Sequence, residues 1–153
     1  MINRLPLRAP SRRTLGKDML LPMPKVNVDS VMIEVHLALS ALCAGKGTME
    51  LKDRMTVAVY MTYFLRDATP DPDNLDRYFE AEAALVRCTA RGNAGQSWSL
   101  PKEDAVAMRE IVVLYDTLTS TLPLFRLAQA WKRLEKFASD GRPSPLPAKK
   151  PGA

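Results

Sequence analysis

The sequence is poor in the residues that build metal and redox sites. Its 153 residues include one histidine, His36, and two cysteines, Cys43 and Cys88. The cysteines do not form a CxxC pair, and a zinc site requires about four thiolate or imidazole ligands in tetrahedral array. We therefore expect no metal and no other cofactor. We interpret the cysteines as free, small apolar residues within helices, with a disulfide between them as the alternative.

Phosphate-binding loops and long apolar runs are also missing. The turn Gly45-Lys46-Gly47-Thr48 lacks the earlier glycine of a GxxxxGK[ST] loop, so it predicts a tight connection between helices. Only eleven residues separate Arg54 from Arg66, whereas a membrane-spanning helix needs roughly 20 apolar residues. We expect no membrane association. The absence of a secretory apolar segment and the sparse cysteines predict a cytoplasmic protein.

No group of residues forms a catalytic signature. Glu34 lies two residues from His36 and therefore on a different helical face, so a lone His36 would need a catalytic partner from elsewhere in the chain. Asp71, Asp73 and Glu82 fit positions 1, 3 and 12 of a calcium loop, but the glycine that the loop requires at its sharp turn is an aspartate here. The sequence therefore predicts a protein that acts by binding. An enzyme whose acidic, tyrosine or threonine groups converge from distant helices is the alternative.

Positive charge is concentrated at the two ends of the chain. Residues 1–25 carry six Lys/Arg against one Asp, and residues 139–153 carry three against one, while the whole chain has a formal charge of +5. The 113 residues between these ends, with 13 Lys/Arg against 15 Asp/Glu, therefore have a slight negative charge. The high isoelectric point therefore results from the two terminal segments. We expect an acidic partner to bind there.

Helical periodicity predicts five helices. They run over about 28–44, 49–67, 74–91, 101–120 and 122–138. Thr48 is suited to cap the second helix, and Pro101 to open the fourth. The second helix is apolar on nearly every side, which predicts a central position, with a buried strand over 57–65 as the alternative. We expect Val86 and Val106 to be buried.

These elements predict an all-α fold with a single domain of four to five helices. The predicted domain covers residues 26–138. A flexible, basic, extended arm covers residues 1–25, and its leucines and methionines suit docking on the helices or on a partner. The Pro/Lys-rich segment 139–153 is predicted to be a disordered tail. No internal repeat is present, which excludes a solenoid.

Two basic elements are candidates for partner binding. On the last predicted helix, one face carries basic and amide side chains at positions i, i+3, i+7 and i+10, with one more lysine nearby: Arg126, Gln129, Arg133 and Lys136, with Lys132. The arm contributes Arg4, Arg8, Arg12, Arg13 and Lys17. Such side chains pair with phosphates or with acidic protein surfaces. A solvated surface without a ligand is the alternative interpretation of the helical face.

Three segments carry a resemblance to known proteins. They are "RTLGKDMLLPMP" in the arm, "VHLALSALCAGKGT" at the first turn and "VAVYMTYFL" in the second helix. Over about residues 12–90 the chain resembles small helical proteins of proteobacterial mobile or accessory DNA, some of them labelled Fis-like regulators. The resemblance implies a regulatory role at DNA. A Fis-type regulator ends in a helix-turn-helix, whereas this basic helix precedes a Pro-rich tail, so no functional residue is transferred.

The combined pattern predicts a non-catalytic regulatory or adaptor protein that binds a protein partner through its arm and helical faces. The alternative is a nucleic-acid-binding accessory protein or transcriptional regulator that uses the basic arm and the basic face of the last helix. A homodimer is a further alternative, because several apolar residues are surplus to a single core. These residues are Met49, Met61, Met108 and Val113.

Overall fold

The computed structural model describes residues 16–149. Within that range it contains six α-helices, one short 3-10 turn and no β-strand, which confirms the all-α prediction. The helices are α1 (Lys17–Leu20), α2 (Lys25–Cys43), α3 (Met49–Phe64), α4 (Asp76–Asn93), α5 (Lys102–Thr121) and α6 (Leu124–Asp140), and the 3-10 turn is Arg66–Ala68. The four arginines Arg4, Arg8, Arg12 and Arg13 lie outside the described residues.

Local signals account for the ends of the helices. Helices α2, α5 and α6 each follow a proline directly, where the fixed φ angle suits a helix start. The Thr48 side chain caps α3 by accepting a hydrogen bond from the Leu51 amide at 3.2 Å, as predicted. Gly45 and Gly95, which follow α2 and α4, have positive φ angles of 73° and 79° and complete Schellman motifs.

Helix α3 is the centre of the bundle. It packs against α2, α4, α5 and α6, which confirms the central position predicted for the second helix. Its buried side chains include Met55, Val59 and Met61. The buried hydroxyl of Thr62 donates to the Ala58 carbonyl at 2.7 Å, so this polar group is satisfied within the helix. The length of α3 excludes the alternative of a strand over 57–65.

The two Gly-containing connections meet around Trp98. The Gly47 amide donates to the Trp98 carbonyl at 3.1 Å, and the Leu100 amide donates to the Leu42 carbonyl at 3.0 Å. A Cβ atom on Gly92 would overlap the Trp98 indole ring. This junction fixes the ends of α2 and α4 beside the start of α5.

Several predictions about the outer parts of the chain are wrong. Val86 and Val106 are 62% and 60% exposed, because the helices that carry them bury other faces. Part of the predicted arm is helical, since α1 spans Lys17–Leu20 and α2 already begins at Lys25. The predicted tail is ordered as far as the structure describes it: α6 extends to Asp140, and Leu146 is buried in the core.

One helix in the described part of the chain, α2, is long and apolar enough to cross a membrane by length and composition alone. It lies near the N-terminus, and one third of its most apolar window is buried. Core helices of soluble proteins satisfy the same criterion. In this fold, Met32, Leu39 and Leu42 of α2 belong to the hydrophobic core.

Candidate functional site

An open cleft of about 420 Å³ lies where α6 passes the end of α3. The 3-10 turn that follows α3 forms one wall, α6 forms the opposite wall, and the loop before α4 closes one side. Its lining is rich in arginine: Phe64, Leu65, Arg66, Asp67, Pro72, Asp73, Arg126, Gln129, Ala130 and Arg133.

Two of the three arginines in the cleft lie against aromatic rings. The Arg133 guanidinium carbon is 5.0 Å from the centre of the Phe64 ring. The Arg66 guanidinium carbon is 4.4 Å from the Tyr63 ring centre, and its Nη1 donates to the Tyr63 carbonyl at 3.1 Å. Stacking on a ring restricts a guanidinium while leaving its N–H groups able to reach an anion. Arg66 and Arg133 are therefore oriented before any ligand arrives.

The third arginine already holds a carboxylate. Arg126 Nη2 is 2.7 Å from Asp67 Oδ2, and the Asp67 side chain is 67% exposed. With Asp73 also in the lining, three arginines face two aspartates, so the cleft has one net positive charge. An exposed ion pair of this kind contributes only about 0–1 kcal/mol. It can exchange its carboxylate for that of a ligand at low cost.

The structure brings together some of the predicted binding residues and separates others. Arg126, Gln129 and Arg133 line the cleft. Lys132 and Lys136 are exposed on α6 but do not line it. Lys17 lies on α1, which packs against α6. The anchoring of this segment includes a hydrogen bond from the Leu124 amide to the Leu21 carbonyl at 2.9 Å.

Sequence reasoning missed Arg66 and Asp67. Both follow the apolar run of α3, and nothing in their spacing relates them to Arg126, which lies 59 residues beyond Asp67. The local sequence "FLRDA" does place a basic and an acidic residue directly after a buried helix. That signal indicates an exposed polar turn, and only the packing of α6 against α3 makes the turn part of a cleft.

A second polar cluster joins α4 to α5. Asp104 is only 8% exposed, and its Oδ1 accepts from Arg87 Nη2 at 2.6 Å. Arg91 Nη2 is 3.9 Å from the other carboxylate oxygen and also donates to the Ser99 carbonyl. Because its carboxylate is hydrogen-bonded by Arg87 and lies within ion-pair distance of Arg91, this cluster stabilises the junction between the helices.

The other titratable groups of the described residues form no candidate metal site. Among residues 16–149 no group of three or more His, Cys, Asp or Glu side chains is placed to hold a metal ion. Cys43 and Cys88 are free, which confirms that interpretation, and burial raises the pKa of the Cys88 thiol. His36 is exposed on α2. Burial also raises the pKa of Tyr115, to about 12.

Several apolar side chains remain exposed on α2 and α5. They are Val26, Ile33, Leu37, Val106 and Val113. Met61 and Met108, which were expected to be available to a second copy, are buried in the chain's own core, so that expectation is wrong for both. Met49 and Val113 are exposed. Formation of a homodimer stays a prediction.

No protein-family model, no curated protein and no solved structure matches this chain. The cleft is therefore interpreted from the chemistry of its own side chains.

Proposed function

We propose that this chain is a non-catalytic adaptor or regulatory protein whose cleft binds an acidic segment of a protein partner. The observation that carries the proposal is the exposed pair between Arg126 and Asp67 at 2.7 Å, beside Arg66 and Arg133. Arg126 is thus placed to hold a carboxylate. A glutamate or aspartate of a partner replaces Asp67 as the ligand of Arg126. Its carboxylate then also interacts with Arg66 and Arg133.

The mixed charge of the cleft favours a peptide over a nucleic-acid backbone. A phosphate backbone carries closely spaced negative charges and is bound by surfaces of uniformly positive potential. Asp67 and Asp73 would repel successive phosphates at the cleft. A protein segment with a single carboxylate avoids this repulsion, and its apolar neighbours gain contact with Phe64 and Pro72.

Apart from Asp67 and Asp73, the polar side chains that line the cleft are suited to binding rather than to proton transfer. Arginine stays protonated throughout the physiological pH range, and the glutamine amide does not titrate. These groups orient a ligand through charge and hydrogen bonds. The predicted arm adds a second contact, because α1 with Lys17 packs on the same helix that forms one wall of the cleft.

The alternative function is binding of nucleic acid by the exposed side of α6. Gln129, Lys132 and Lys136 are all exposed there, and Lys17 lies on the helix that packs against α6. This arrangement, together with the arginines of the arm and the resemblance to Fis-like regulators, supports the alternative. Lys132 and Lys136 do not line the cleft, so mutation of these two lysines separates the two functions.

The test compares two fluorescent probes, a short peptide with a single glutamate among apolar residues and duplex DNA, titrated with the full-length protein over a salt series. We expect the peptide to bind more tightly. Arg133→Ala should weaken peptide binding by about 10- to 100-fold, since a charge-assisted hydrogen bond contributes about 1.5–3 kcal/mol. Arg109→Ala is the matched control, because Arg109 is exposed on α5 and does not line the cleft.

Two results would contradict the proposed function. One is peptide binding that Arg133→Ala and Arg109→Ala weaken equally, which would indicate attraction by overall charge. The other is tighter binding of duplex DNA that is lost in a Lys132→Ala, Lys136→Ala double variant and not in Arg133→Ala. That second result would establish the alternative.

A further inference from the structure

The segment after α6 folds back onto the bundle and is held by one buried leucine. Gly141 ends α6 with a positive φ angle of 70°, which turns the chain. Leu146 then enters the hydrophobic core with 8% of its surface exposed. Of its two flanking residues, Pro145 is partly buried and Pro147 is exposed. We call residues 141–149 the tail.

Side chains rather than the backbone join the tail to the helices. Ser144 Oγ donates to Glu82 Oε2, which also accepts from the Tyr60 hydroxyl at 2.8 Å. The Leu146 amide donates to Ser144 Oγ at 3.1 Å. Among the described residues, no backbone–backbone hydrogen bond links 142–149 to another element. The segment is therefore bound in the manner of a peptide ligand.

Two cationic side chains of the tail lie over aromatic rings of the bundle. The Arg142 guanidinium carbon is 5.8 Å from the Phe137 ring centre, and Lys149 Nζ is 5.9 Å from the Phe79 ring centre. The Phe137 ring meets the Tyr60 ring edge-on at 5.6 Å. Tyr60, Phe79, Glu82 and Phe137 thus form one surface, which we call the tail groove.

We propose that the tail groove is a docking site for an extended, basic segment of a partner protein in which a leucine stands between prolines. The chain's own tail shows the chemistry of that partner. A leucine fills the apolar position, a hydroxyl two residues earlier reaches Glu82, and cations at either end lie over Phe137 and Phe79. Prolines favour this mode, because a pre-extended chain loses little conformational entropy on binding.

The tail acts as an internal competitor for this partner. A tethered segment has an effective concentration in the millimolar range, so a weakly bound tail still masks the groove. The groove is distinct from the arginine cleft. Tyr60 and Phe137 lie one helical turn from Phe64 and Arg133 respectively, and the two surfaces prefer partner segments of opposite charge. The groove therefore does not depend on the function proposed for the cleft.

The test uses full-length protein and a fluorescein-labelled peptide with the sequence of residues 141–149. In the wild-type chain the tethered tail competes, whereas Leu146→Ala removes the anchor of that tail. We expect the peptide to bind the Leu146→Ala chain at least about tenfold more tightly than the wild type, because the tethered tail then competes less strongly for the groove. A peptide in which this same leucine is alanine is the matched control and should not bind.

A second variant keeps the test decisive if loss of the buried leucine unfolds the protein. Ser144→Glu places a carboxylate beside Glu82 and releases the tail without changing a core side chain. It should bind the peptide as the Leu146→Ala chain does. The proposal is overturned if folded variants fail to bind the peptide or bind it no better than the wild type. It is also overturned if the wild type is a dimer that both variants convert to a monomer, because a second copy's tail then fills the groove.

Discussion

At the scale of single residues, the buried carboxylate of Asp104 is paired with arginine. Asp104 lies in the first turn of α5, where the helix dipole favours a negative charge. Arg87 bonds both of its carboxylate oxygens, at 2.6 and 3.4 Å. The Asp67 carboxylate, by contrast, is paired but exposed. The pair that the buried Asp104 forms with Arg87 therefore has a structural role, whereas the exposed pair of Asp67 and Arg126 can exchange partners.

We predict that Asp104→Asn lowers the free energy of unfolding by about 1.5–3 kcal/mol, because it weakens charge-assisted hydrogen bonds at a buried position. Urea unfolding followed by circular dichroism measures the change. Glu103→Gln is the matched control, since Glu103 lies in the same helical turn but is exposed. It should cost no more than about 0.5 kcal/mol. Equal losses for the two variants would show that the arginines contribute little.

Buried tyrosine hydroxyls give a second prediction at the residue scale. Burial raises the pKa of Tyr115 to about 12, whereas an unfolded chain has a tyrosine pKa of about 10. The folded state therefore keeps the Tyr115 proton up to a higher pH than the unfolded state does. The free energy of unfolding falls as pH rises between these two pKa values. We expect Tyr115→Phe to flatten this fall by about 1–2 kcal/mol.

The measurement is urea unfolding of the wild type and of Tyr115→Phe between about pH 8 and pH 11. The lysines and the other tyrosines titrate in both proteins, so their contribution cancels in the comparison. Parallel pH profiles for the two proteins would contradict a buried, protonated Tyr115 hydroxyl.

At the scale of elements, the fold depends on tight connections as much as on helices. The Schellman motifs after α2 and α4 bring both helix ends to Trp98. Gly92 lies in the last turn of α4, against the indole ring. Glycine destabilises the interior of a helix, but it is required at position 92 because the Trp98 ring occupies the space that a side chain would need.

We predict that Gly92→Ala lowers the free energy of unfolding by about 1–3 kcal/mol, the usual cost of overpacking. In a Trp98→Ala background the same substitution should be neutral or stabilising by up to about 1 kcal/mol, because alanine favours helix over glycine. Urea unfolding of the four proteins in this cycle measures the coupling between the two positions. The same cost of Gly92→Ala in both backgrounds would rule out the steric explanation.

At the scale of the whole molecule, both proposed binding surfaces include residues at the contact between α3 and α6. The arginine cleft lies at the C-terminal end of α3, and the tail groove lies one turn earlier on that helix. Because α3 is held by four other helices, these surfaces have a rigid floor. Rigid support lowers the entropy that is lost when a ligand binds.

The features that were predicted correctly from the sequence are those that depend on interactions between residues close together in the chain. Capping by Thr48, the proline starts and the glycine ends act over a few residues, so all five long helices were predicted to within a few residues of their ends. Arg126, Gln129 and Arg133 were predicted to share a face because helical geometry alone relates them. The burial of Leu146 was not predicted, because a lone leucine among prolines carries no periodic signal.

The sequence by itself determined the helices, their order and the central place of α3, since propensity, capping and apolar periodicity are properties of neighbouring residues. The tertiary structure alone decided which distant groups meet. Asp67 reaches Arg126 and Ser144 reaches Glu82 across 59 and 62 residues respectively. Such pairs form only after packing has fixed the relative positions of α3, α4 and α6, because no local preference brings their side chains together.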